Sequence, residues 1–122
     1  MLTQQQSDWL DVGIEHFNAG RFWHAHEDWE ALWISLKGKE SQELVDGVQG
    51  IIQIAAMLLN HQRKKVRGVT SLWIKSSAKL TPVIDGLFGL DIAKLYSDCQ
   101  PFHLDTELFK LDATSVNIKF LD

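Results

Sequence analysis

The stretch from Ser41 to His61 constrains this chain more than any other. Leu44, Val45, Val48, Ile51, Ile52, Ile54, Leu58 and Leu59 recur there at spacings that leave almost no polar face. A helix apolar nearly all round belongs at the centre of a bundle, wrapped by other helices. Its longest apolar run, Ile51–Leu59, is interrupted by Gln53 and is far too short to cross a bilayer. Gly47 and Gly50 each cost about 1 kcal/mol of helix stability relative to Ala. Close approach of a neighbouring helix is the reason to keep them.

The remaining segments supply the wrapping. Residues 3–19 repeat Trp9, Leu10, Val12, Ile14 and Phe17 at helical spacing, with Thr3 and Gln6 set as a capping box and Gly20 as a stop. Residues 21–36 form a second helix and residues 66–80 a fourth, ended by Thr81-Pro82. Asp91 caps a short fifth helix that is expected to end near Cys99. Residues 101–122 contain Pro101 and the β-prone run Val116–Phe120, and read as an irregular tail packed on the outside. The expectation is an all-α, single-domain bundle of four to five helices over residues 1–122, with its core in 3–99.

The polar residues of the second helix fall in an unusual place. On a helical wheel Phe22, Ala25, Trp29, Leu32, Trp33 and Leu36 fill one apolar arc, and Trp23 with Ile34 makes a second patch. His26 and Glu30 lie between the two, four residues apart and therefore neighbours. Glu27 sits at the edge; His24, Asp28 and Ser35 fall on the opposite side. A His and a Glu within a Trp-rich arc are expected to be at least partly buried, and buried charge requires partners. The third helix offers a polar stripe of Asp46, Gln49, Gln53 and Asn60, and the first offers His16. A polar pocket of His26, Glu30, Gln49 and Gln53, with Glu27 at its mouth, is the resulting candidate site.

Four readings of that cluster stay open. It is a hydrogen-bond network that fixes helix register; or it holds a metal or small ligand; or His26, paired with Glu30, is a general base; or the chain works through a surface, with Trp23 as a homodimer or partner contact. For metal, the segment His26-Glu27-Asp28-Trp29-Glu30 is H-E-x-x-E and lacks the second His of the zinc-protease motif. His26 and Glu30 would need a third ligand, His16 or His61. No nucleophile stands out for catalysis, and no cofactor is indicated.

The run from Phe17 to Trp33, FNAGRFWHAHEDWEALW, together with Gln49-Gly50-Ile51-Ile52-Gln53-Ile54-Ala55-Ala56, resembles the two-part signature of the domain-of-unknown-function family 309. Gly68 and Leu72 are similar to a later element of that signature. The resemblance covers residues 9–80. It implies a small helical bundle with His26, Glu27, Glu30, Gln49 and Gln53 at motif positions, and it names no reaction. Lys64-Lys65 stands near the family's Gly-Asn turn, and Val69 replaces an Ala.

Charge and cysteine content narrow the setting. A formal net charge of -4 argues against non-specific nucleic-acid binding. The one basic run, Arg63, Lys64, Lys65 and Arg67, reads as a solvated loop entering a helix. The single cysteine, Cys99, permits no internal disulfide, which fits a reducing compartment. Residues 1–8 are polar and lack a signal-peptide core. A cytoplasmic protein with no membrane contact is the expectation.

Overall fold

A computed structural model describes residues 1–122. The fold is all-α: α1 (Gln4–Asn18), α2 (Phe22–Leu36), α3 (Gln42–Gln62), α4 (Val66–Leu80) and α5 (Ile92–Leu104), with short 3-10 turns at Thr81–Val83 and Ala113–Ser115. The first four helices run up and down, joined by short connections, and α3 packs against both α2 and α4. Val48, Ile51, Ile54, Ala55, Met57 and Leu58 of α3 are fully buried, as the all-round apolar pattern requires. No helix is long and apolar enough to cross a membrane.

The caps read from sequence are in place. Thr3 and Gln6 bond each other reciprocally at the start of α1, while Ser41 and Asp91 accept amide hydrogen bonds at the starts of α3 and α5. The two α3 glycines mark close approach: a Cβ at Gly50 would lie 2.7 Å from the Leu80 side chain, and one at Gly47 would lie 3.0 Å from those of Leu87 and Val83. Gly13 of α1 has the same role. The Trp29 indole lies over it and donates to the Leu10 carbonyl at 3.2 Å, so α2 is docked on α1 by a buried hydrogen bond.

The C-terminal third differs from expectation. Helix α5 continues through Pro101 to Leu104 rather than stopping near Cys99. Ile92, Leu95, Cys99 and Phe102 keep one buried stripe across the proline. Only the bond to the Ser97 carbonyl is lost, and Ser97 and Pro101 both face solvent, where water compensates. The run Val116–Phe120 forms no strand; its sole ladder contact is a bridge between Leu90 and Phe120. Instead the segment is a strap. Asn18 at the end of α1 donates to the Ile118 carbonyl at 3.0 Å and accepts from its amide at 2.8 Å. The Lys119 carbonyl accepts from Asp91, and the Leu121 amide donates to Gly89. Ala113, Val116 and Ile118 are buried beneath.

Candidate functional site

Helix α2 buries Phe22, Ala25, Trp29, Leu32 and Leu36 against the bundle, which fixes what its other faces present. Trp23 and Ile34, the second apolar patch, are open to solvent at 51% and 61% exposure. Between patch and core lie His26 and Glu30. His26 Nδ1 stands 3.6 Å from Glu30 Oε2, just beyond hydrogen-bond reach, with a quarter of the His26 side chain and half of Glu30 exposed. The imidazole stacks on the Trp23 indole, centroids 5.4 Å apart and planes within 5°. Glu27 is fully on the surface. The Glu30 carboxylate is therefore more open than its place on the wheel suggests, because Trp23 and Ile34 have nothing packed over them.

Gln49 and Gln53 are half-buried on α3. The short connection between α2 and α3 makes them an antiparallel hairpin, which brings Gln49 level with the middle of α2 and Gln53 level with its first turn. No hydrogen bond joins either to His26 or Glu30. Four buried polar atoms have no hydrogen-bond partner in the protein: His26 Nδ1, Asp28 Oδ2 and Trp33 Nε1 on α2, and Gln53 Oε1 on α3. The seam between α2 and α3 forms no enclosed pocket.

His16 is not part of this group. Its Nδ1 accepts a hydrogen bond from Arg21 Nε at 2.9 Å, its Nε2 lies 3.7 Å from Asp28 Oδ2, and its ring lies 5.2 Å from that of His24. His24 and Asp28 lie on a different side of α2 from His26, each being two residues, or about 200°, away. No group of three His, Cys, Asp or Glu side chains stands close enough to hold a metal ion. The trio His16, His26 and Glu30 is thus not assembled. His61, the other candidate third ligand, is engaged elsewhere. The lone thiol of Cys99 is buried and pushed far above its ordinary value by burial, so it is no nucleophile at neutral pH.

A second His–carboxylate pair escaped sequence reasoning. His61 Nε2 lies 2.9 Å from Asp105 Oδ2, and the imidazole, 2% exposed, sits between the rings of Phe102 and Phe109. Asp105 also accepts from the Leu111 amide at 2.8 Å and the Lys110 amide at 3.1 Å. Those two bonds, the Leu111 one foremost, and the His61 contact hold its carboxyl below the ordinary value of 3.8. Beside it Leu104, Asp105, Thr106, Glu107, Leu108 and Lys110 line a shallow surface hollow of about 280 Å³. The pair joins positions 44 apart in sequence, and Asp105 lies beyond Pro101, so no local spacing signalled it.

Comparison with known protein families gives a match. The family model described as a domain of unknown function, DUF309, matches residues 10–72. No curated protein and no solved structure matches the chain. The matched span takes in all of α2 and α3, with His26, Glu30, Gln49 and Gln53, and it excludes Asp105 and the strap. It covers more than half of the 122 residues, and the chain therefore belongs to the DUF309 family.

Proposed function

We propose that the outer seam between α2 and α3 is a binding site for a small polar ligand. One observation supports this reading: His26 Nδ1 and Trp33 Nε1, seven residues apart and so on one face of α2, are buried and without a partner, as is Gln53 Oε1 on α3. Buried polar groups in folded proteins are almost always bonded, and leaving one without a partner costs about 1–3 kcal/mol. A purely structural network would bond these groups to one another, and they are not so bonded. On this reading Trp33 Nε1 donates to the ligand, Gln53 Oε1 accepts from it, and Glu30 biases the His26 ring. Gln49 and Glu27 flank the seam.

The test is a fragment screen read by the indole N–H resonances of ¹⁵N-labelled protein, using small neutral amides, carboxylates and amines. The Trp33 indole signal is expected to move saturably with at least one class, and to stop moving in Gln53→Leu. That variant should fold at least as stably as the wild type, since it removes an unpartnered acceptor. If no class moves the signal and Gln53→Leu is destabilised, the seam is a structural network and the proposal fails.

A further inference from the structure

The net charge conceals where the basic residues are. Helices α1, α2 and α3 contain eight carboxylates and no Lys or Arg. One end of the bundle has the reverse character. The turn from α3 into α4 exposes Arg63, Lys64 and Lys65, and Arg67 follows at the start of α4. The loop after α5 adds the exposed Lys110. That loop is held at the same end because both Asp105 and Phe109 meet His61, in the last turn of α3. None of these five cations is in an ion pair. Of the loop's two carboxylates, Asp105 is taken up by His61 and two amides, which leaves Glu107 as the one free opposing charge. The end is electropositive above acidic flanks.

The same end carries apolar tips. Val66, between Lys65 and Arg67, is 45% exposed, and Leu104 and Leu108 of the loop are 73% and 68% exposed. The loop that presents them is built rather than slack. Three bonds to the Asp105 carboxylate close it, and Phe109 takes a left-handed φ of 49° with its ring turned onto His61. Leu108, the residue before it, stays outside. The shallow hollow beside Asp105 is bordered by Leu104, Leu108 and Lys110, so apolar tips and a cation share one depression.

Cations alone fit any polyanion, and the leucines select among them. A nucleic acid offers phosphates but no layer into which aliphatic side chains sink. A protein partner has to supply a packed pocket for each tip. An anionic bilayer offers headgroup charge outside and acyl chains beneath, with no fixed register. We infer that this end of the bundle docks on the surface of an anionic lipid bilayer. Arg63, Lys64, Lys65, Arg67 and Lys110 lie against the headgroups, and Leu104 and Leu108 dip between them. The bundle then stands on end. Asp46, about 22 Å from His61 along α3, is held beyond the reach of the surface charge. The contact is peripheral, since no helix is long and apolar enough to cross a membrane. It departs from the expectation of no membrane contact, and it is independent of the α2–α3 seam.

The test is co-sedimentation of the full chain with vesicles of phosphatidylcholine alone and of phosphatidylcholine with about one-third phosphatidylserine, at low and high salt. A single-stranded oligonucleotide and polyglutamate serve as competing polyanions. Saturable binding to the serine-containing vesicles, none to phosphatidylcholine alone, and loss at high salt are expected. Each Lys or Arg near such a surface strengthens binding about fivefold, so the double variant Lys64→Gln, Lys65→Gln should bind about 25-fold more weakly. Leu104→Ser with Leu108→Ser should weaken binding about tenfold or more, with every cation still present. All four positions are exposed, so urea melts of both variants should match the wild type. Absence of binding to the anionic vesicles overturns the inference. Tighter binding to the oligonucleotide or polyglutamate than to the vesicles also overturns it, and assigns the cations to a nucleic acid or an acidic protein. Unaltered vesicle binding by the leucine variant overturns it as well, because charge attraction alone would then account for the contact.

Discussion

The two His–carboxylate pairs of this molecule are built from the same groups and differ in almost everything else. His26 and Glu30 are neighbours on one helix, 3.6 Å apart and partly exposed, although His26 Nδ1 itself is buried. His61 and Asp105 come from distant segments and meet at 2.9 Å, with the imidazole flanked by two phenylalanines. In the second pair the carboxylate is also bonded to two amides and the imidazole has almost no surface. In the first the imidazole nitrogen facing the carboxylate is unbonded. On the proposed reading the closed pair holds the fold together and the open one faces a ligand.

The comparison predicts the largest effect at His61. His61→Ala removes a ring packed between Phe102 and Phe109 and leaves Asp105 with one partner fewer. It should lower unfolding free energy by about 3 kcal/mol in a urea melt. A loss no larger than that of a surface residue would erase the distinction between the pairs.

The pH dependence comes next. Because the folded Asp105 carboxyl sits below its ordinary value, its contribution is complete above 3.8 and disappears as pH falls through the lower folded value. Asp105→Asn should flatten the decline of melting temperature between about pH 4 and pH 2. Some slope should persist, since bonds from the Thr114 hydroxyl and amide depress Asp112 in the same direction. An unchanged slope would mean that Asp105 is no clasp.

The partly exposed polar residues Gln53 and Glu30 should respond weakly. Gln53→Leu should raise stability by up to about 1 kcal/mol, by replacing an unpartnered acceptor with an apolar group. Glu30→Gln should change it by no more than about 0.5 kcal/mol, as expected of an exposed i,i+4 pair. A loss of about 2 kcal/mol or more in either variant, measured by the same melts, would place the seam with His61 and Asp105 as architecture.

Legibility from sequence divides along the same line. The all-round apolar pattern of α3, the caps at Thr3, Ser41 and Asp91, and the outlying Trp23 are local signals, and the structure reproduces them. The openness of Glu30 was not legible, because a wheel orders residues around a helix without saying which arcs a neighbour covers. Pro101 masked the end of α5, although the stripe of Ile92, Leu95, Cys99 and Phe102 runs across it. The bond from Asp105 to His61 joins residues that no periodicity links.

The strap has a consequence for how the chain acquires its structure. The two hydrogen bonds between Asn18 and Ile118 span a separation of 100 residues. The hairpins of α1 with α2, α2 with α3, and α3 with α4 can each form from short stretches, where closing a loop is fast and entropically cheap. The end of α1 is pinned only after residue 118 has been made. During synthesis the hairpins of α1 to α4 can close before the strap exists to fasten that corner.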